Sequence, residues 1–307
     1  MAYSRYRRKT RRTYRKSGPK RRSAPRYRST GRTRRYTRKR PMSKRAILNT
    51  SSTKKRNGML TWTNTTSTGA QQSPALGVAY VAGNSTGRFL WQATAMDLND
   101  AAGNPNLKIN QAQRTASTCY MKGLSEHVRI QTSSGVPWFH RRICFTYRGL
   151  NPFRASLTPE SSLVYLETSS GWQRLFNNIG VDSAPNTLAA REAVIFRGQI
   201  QRDWNDPIVA PTDPTRIDVK FDKTWTLKSG NASGTVYERK LYHPMNKNLV
   251  YDDDEDGGVE STSTYSVLSK EGMGDFYVYD ILSPGLGATA SDLAAIYSNS
   301  TLYWHEK

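Results

Sequence analysis

The first 96 residues of this 307-residue chain contain no acidic side chain, and the first to appear is Asp97. No Leu, Ile, Val or Phe precedes Ile47. The first absence leaves the charge of this stretch uncompensated. The second denies it a core, because a segment without apolar side chains cannot offset the entropy of ordering its backbone. It also argues against a secretory leader, which needs an apolar stretch. Cysteine is scarce: Cys119 and Cys144 are the only two. They are too few for a disulfide framework, and a reducing compartment is the simpler expectation. No apolar run reaches the 18 residues of a membrane-spanning helix, so no membrane partner is expected. The sequence holds no GxxxxGK[ST], GxSxG or HExxH, and no GxGxxG after a strand. No catalytic residue is assigned, the chain is not expected to be an enzyme, and no cofactor is expected.

What is present is positive charge in one place. Of the 46 Lys and Arg, 24 lie in residues 1–56, and Arg88 is the only other one ahead of Asp97. The remainder holds 21 basic side chains against 24 acidic ones. The formal charge of +22 therefore divides into a strongly basic arm and a nearly neutral body. Residues 1–45 are low in complexity, read as disordered when free, and would reach on the order of 150 Å if stretched. Candidate nucleic-acid-binding residues are Arg5, Arg7, Arg8, Lys9, Arg11, Arg12, Arg15 and Lys16, then Lys20, Arg21, Arg22, Arg26 and Arg28. Arg32, Arg34, Arg35, Arg38, Lys39 and Arg40 complete the set. Guanidinium groups pair with phosphates, and interleaved tyrosines such as Tyr6 and Tyr14 can stack on unpaired bases. With no base-reading scaffold in the arm, binding is expected to ignore sequence and to depend steeply on salt. Three clusters, Lys39-Arg40, Lys44-Arg45 and Lys54-Lys55-Arg56, also have the look of nuclear-import signals.

Residues 46–58 read as a hinge, and folded sequence is expected from Met59 onward. Thr, Val and aromatics dominate there, punctuated by Gly and Pro, as in chains of many short strands. Expected strands are 59–63, 77–82, 88–95, 115–122, 126–132, 138–147, 193–202, 216–227, 235–242, 275–282 and 301–305. Alternation is clearest where Ile217, Val219 and Phe221 interleave with Asp218, Lys220 and Asp222, the pattern of a half-buried strand. Short helices are expected over 171–179, from apolar Trp172, Leu175, Phe176 and Ile179, and over 291–297, capped by Ser291. The fold class is all-β. Long loops near 97–113 and 150–170 favour a single jelly roll, an eight-stranded antiparallel β-sandwich, over an up-and-down barrel.

Two groups have residue types that could hold a metal. Asp252-Asp253-Asp254-Glu255-Asp256-Gly257 opens like a calcium loop, with Asp252, Asp254 and Asp256 as the ligands, but position twelve is Ser263 rather than an acid. A solvated acidic loop is the plainer reading, and a patch meeting a basic neighbouring subunit is a third. Cys119, His127, His140 and Cys144 lack the close pairs of a zinc knuckle and sit where packing residues are expected.

Several runs carry a resemblance. Pro137-Trp138-Phe139-His140-Arg141-Arg142-Ile143-Cys144-Phe145 is similar to a stretch of genomovirus capsid proteins. So are residues 119–124 (CYMKGL), 251–257 (YDDDEDG) and 302–306 (LYWHE), and the opening MAYSRYRRKTRRTYRK resembles the arm of the gemycircularvirus group. The resemblance runs in order along the whole chain. It implies a capsid protein of a small circular single-stranded DNA virus, with sixty identical subunits closing a T=1 icosahedral shell around the genome. It implies host import receptors as partners, and the virion and host nucleus as locations. Sixty such arms would supply about 1,500 positive charges, the right order for a minimal genome at one charge per phosphate.

Overall fold

The computed structural model of the protein describes residues 41–307, the Arg45 side chain excepted. In chain order the elements are α1 (Lys44–Ser51), β1 (Thr53–Met59), β2 (Thr61–Thr65), β3 (Gln71–Leu76), β4 (Ala79–Ala82), β5 (Gly87–Gln92), β6 (Thr118–Thr132) and β7 (Trp138–Tyr147). After a long excursion come β8 (Glu167–Thr168), β9 (Gly171–Trp172), β10 (Arg174–Phe176) and α2 (Pro185–Ile195). The chain closes with β11 (Asp218–Leu227), β12 (Val236–Val250), β13 (Asp254–Asp256), β14 (Val259–Ser261), β15 (Asp275–Pro284) and β16 (Leu293–Glu306).

Two antiparallel sheets hold most of these strands. The first runs β1-β16-β6-β12, with β4 beside the start of β16 on the same edge that β1 occupies further along. The second runs β11-β7-β15-β5. Their inner faces meet. Met121, Leu124, Leu302 and Trp304 of the first sheet join Trp91, Cys144, Phe276 and Val278 of the second in one buried cluster. Ala79, Val128, Ile130 and Ile296 join Phe89, Trp138, Leu227 and Leu282 in another. This interdigitation is what the period-two pattern of each strand requires.

The second sheet is buried on its other face too. Ile143, Phe145, Tyr277, Tyr279 and Ile281 alternate with the inward residues and pack beneath Phe153, Ile195, Phe196, Trp204 and Ile208. Those covering residues come from the excursion that carries α2. The first sheet has no such cover, so its strands alternate buried and open positions, as β6 and β16 do.

The all-β expectation holds, and 138–147 falls on β7 residue for residue. Ile217 is buried and Val219 and Phe221 are half-buried, while Asp218, Lys220 and Asp222 are exposed. Expected strands 115–122 and 126–132 are instead one strand, β6, running straight through Gly123. A Cβ there would lie 2.7 Å from both the His243 carbonyl and the Tyr242 hydroxyl, so the close approach of β12 requires glycine.

Four expectations are corrected. The hinge at 46–58 is α1 followed by β1, which pairs with β16 from Thr53↔Glu306 to Met59↔Ser300. Residues 171–179 are extended: β10 lies parallel to β2, with Leu175 opposite Trp62. Its apolar residues are buried on both faces, which removes any strand alternation and imitates a helical period. Residues 291–297 lead into β16. Asp292 accepts from Thr289 N at 2.7 Å and closes a turn, after which Ala294, Ala295 and Ile296 pair with β4 and β6. The expected strand 193–202 begins inside α2. Pro185 sits in the helix's first turn, and the Glu160 carboxylate accepts from Asn186 N (2.9 Å) and Thr187 N (2.6 Å). That remote cap satisfies donors that no side chain at the N-cap position reaches.

Candidate nucleic-acid interface

Every arm residue assigned to DNA, from Arg5 to Arg40 together with Tyr6 and Tyr14, lies outside the described residues, as do Lys39 and Arg40 of the first import cluster. Lys44 is exposed on the first turn of α1. The third cluster falls on β1, and strand geometry divides it. Lys54 and Arg56 are exposed, whereas Lys55 points inward and is 2% exposed.

Lys55 Nζ lies 3.1 Å from Glu306 Oε2 and donates to the Gln113 carbonyl (2.8 Å) and Thr115 Oγ1 (3.0 Å). Glu306 also accepts from Thr115 Oγ1 (2.6 Å) and Trp304 Nε1 (2.7 Å). Burial raises the Glu306 carboxyl, but these hydrogen bonds and the Lys55 charge outweigh it and hold the group below its ordinary value. Lys55 is thus an anchor for the edge strand and unavailable to an import receptor. The period-two alternation of an edge strand is the reason that three consecutive cations do not make one surface patch.

The described part of the body holds a second charged constellation that sequence reading missed. Arg142 on β7 binds Asp280 on β15 through two hydrogen bonds (2.7 and 2.9 Å) and Glu126 on β6 at 2.5 Å. Arg174 on β10 reaches the same two carboxylates, at 2.9 Å to Glu126 and 2.8 Å to Asp280. His140 Nε2 is 2.9 Å from Asp280, and Ser300 Oγ donates to Glu126 at 2.8 Å. All six side chains are buried. Two cations and two anions balance, and the links bolt one sheet to the other.

Burial raises the Glu126 carboxyl, but Arg142 and Arg174 prevail and hold it at about 2. Against burial, the Arg142 charge, then His140, then Arg174 hold Asp280 below the ordinary carboxylate range. Burial pushes the His140 imidazole down although Asp280 pulls it up. Carboxylates sealed from solvent and saturated by guanidinium groups hold the two sheets in register. One signal was legible: Asp280 interrupts the apolar run Phe276–Leu282, and a buried charge needs a partner.

In the acidic loop, Asp254–Asp256 form a hairpin strand against Val259–Ser261, which is extended where a calcium loop turns tightly. Asp253, just ahead of that strand, is bound through both oxygens to Arg114, at 2.5 and 2.9 Å. Asp252, Asp254 and Asp256 are exposed. Among the described residues no group of three or more His, Cys, Asp or Glu is placed to hold a metal. The four residues weighed for zinc are scattered: Cys119 lies beside Glu306, His127 faces solvent, and His140 belongs to the buried network. Neither cysteine is in a disulfide.

No protein-family model matches this chain, and no curated protein matches it.

Proposed function

We propose that this chain is a structural capsid protein that assembles into a small closed shell and packages single-stranded DNA through its N-terminal arm. The observation that carries the reading is the charge partition. Residues 1–43 hold 19 Lys and Arg and no acid, and they precede a body with 27 basic and 24 acidic side chains. Such an arm binds phosphate without reading bases, and a near-neutral body lets copies approach without strong repulsion.

The strand order supports a jelly roll. Taking β1, β5, β6, β7, β11, β12, β15 and β16 as eight successive strands, one sheet has the order first-eighth-third-sixth and the other fifth-fourth-seventh-second. That is the order of two nested Greek keys, an architecture that viral shells use. The resemblance to genomovirus capsid proteins supplies the sixty-copy T=1 shell, the circular genome and delivery to the host nucleus. For import, the reading rests on Lys39, Arg40, Lys44 and Arg45, with Lys54 and Arg56 as an exposed supplement and Lys55 excluded.

The test is negative-stain electron microscopy of the full-length protein mixed with circular single-stranded DNA at low salt. Uniform closed particles are expected. Small irregular complexes would overturn the shell and leave a nucleic-acid-binding protein with a basic extension.

A further inference from the structure

We infer that the open face of the β1-β16-β6-β12 sheet is a second binding surface for single-stranded nucleic acid, on the body itself. The inference rests on the packaging reading and locates part of the DNA contact in folded structure.

The outward positions of these four strands form one composition. Lys54 and Arg56 stand on β1, Lys122 and Arg129 on β6, and Lys240 on β12, and all five are exposed or half-buried. Glu238 is the one acid among the outward positions of the four strands, and it lies 3.8 Å from His127. The body carries nearly as many acids as bases overall, so this excess is local.

Aromatic rings are interleaved with the cations by register. Arg56 is opposite Tyr303, and Lys54 is opposite His305, which is opposite Tyr120. Arg129 is opposite Tyr297 and lies over its ring at 4.2 Å. Tyr120 and His305 rings are 5.9 Å apart. Lys122 sits where the register of β6 shifts, at a bulge that turns its amine toward Asn246 (2.8 Å) on the same face. Cations that pair with phosphates, set beside flat rings that accept bases of any identity, are the elements of sequence-independent single-strand binding.

The electrostatics agree with the geometry. The His305 imidazole is pushed down by partial burial and then by the Lys54 and Lys122 charges, which marks this end of the sheet as a positive field. It is also the end at which the chain passes from α1 into β1.

A protein partner fits the face less well. From Ala295 to His305 on β16 and from Tyr120 to Gln131 on β6, no outward position is Leu, Ile, Val, Phe or Met. The cores of stable protein interfaces are apolar and depleted in lysine. The other broad sheet face, that of β7 and β15, is already buried beneath the excursion carrying α2.

The experiment uses the full chain and oligothymidylate. Ultraviolet crosslinking followed by peptide mapping is expected to mark Tyr303, Tyr297 or Tyr120 in addition to arm residues. In parallel, the variant combining Lys54→Gln, Arg56→Gln, Lys122→Gln and Lys240→Gln is compared with the parent across salt concentrations. The slope of log affinity against log salt is expected to fall by about 3, at roughly 0.7 per phosphate contact for single strands. Crosslinks confined to residues 1–43 with an unchanged slope would overturn the inference and leave arm-based packaging standing. Intact DNA binding with a changed oligomeric state would overturn it in favour of a contact between copies. A parent chain that takes up no oligothymidylate would overturn this inference and the packaging reading together.

Discussion

Arg142 shows how a single side chain can tie two layers. Its guanidinium meets Asp280 on its own sheet and Glu126 on the facing one, with Arg174 closing the square. Removing one partner leaves a buried charge uncompensated, which costs far more than the pair itself contributes. Arg142→Ala is therefore expected to lose about 3–5 kcal/mol, read as a lowered midpoint in urea unfolding. The same square fixes an acid limit. Glu126 titrates at about 2 in the folded chain against an ordinary 4.5, so the unfolded chain binds the extra proton between those values. The stability it contributes is complete above pH 4.5 and is lost as pH falls toward 2. Asp280, also held low, acts in the same sense. Asp275, lifted by burial from 3.8 to about 6, acts in the opposite sense between those values and has no effect below them. Urea midpoints measured at successive pH values are expected to drop steeply below pH 3.8, where only the network still titrates among these groups. At the two cysteines, burial pushes both thiols well above their ordinary value. Neither Cys119 nor Cys144 is expected to react with a thiol reagent in the native protein, and both are expected to react in denaturant.

Among the elements, β1 sets where the body begins. It pairs along its length with β16 and sends Lys55, Asn57 and Met59 inward, to an ion pair with Glu306, a hydrogen bond to the Trp172 carbonyl and the core. Deleting residues 1–43 should leave a folded body by circular dichroism and thermal melting, and that body should no longer package DNA. Deleting residues 1–59 should not fold cooperatively, because it unpairs β16 and strands Glu306 without its lysine. The two expected helices and the expected strand at 193–202 differ from the structure for two reasons, neither of them local. At 171–179 and at 294–296 successive residues are buried, so the apolar pattern follows no strand alternation. In α2 the decisive cap, Glu160, lies 25 residues ahead of Pro185 in the chain and beyond the reach of a local pattern. On β11, an edge strand, the exposed Asp218, Lys220 and Asp222 kept the alternation legible, although a bulge sends Val219 and Phe221 to different cores.

For the molecule as a whole, the packaging proposal predicts that a basic arm on a near-neutral body couples assembly to nucleic acid. Arms repel one another until phosphates neutralise them, while bodies carry little net charge to oppose contact. Full-length protein without DNA is expected to remain as small species at low salt by light scattering. Adding circular single-stranded DNA should produce large particles, and a rise in salt should weaken DNA binding steeply as counterions compete for the same phosphates.

Composition alone determined the division into arm and body, the all-β class and most strand positions, since these follow from local charge, the supply of apolar residues and period-two alternation. It also located the exposed cations of the arm's junction. Tertiary structure decided which of those cations remain free: Lys55 is claimed by Glu306 across a strand pair separated by 251 positions in the chain. It decided that Asp280, Arg142, Glu126 and Arg174 form one neutral network rather than scattered charges. It decided that cations and tyrosines from four strands distant in sequence share a single open face. Each of these depends on which strands become neighbours, and that is settled by the packing of two sheets rather than by any local stretch of chain.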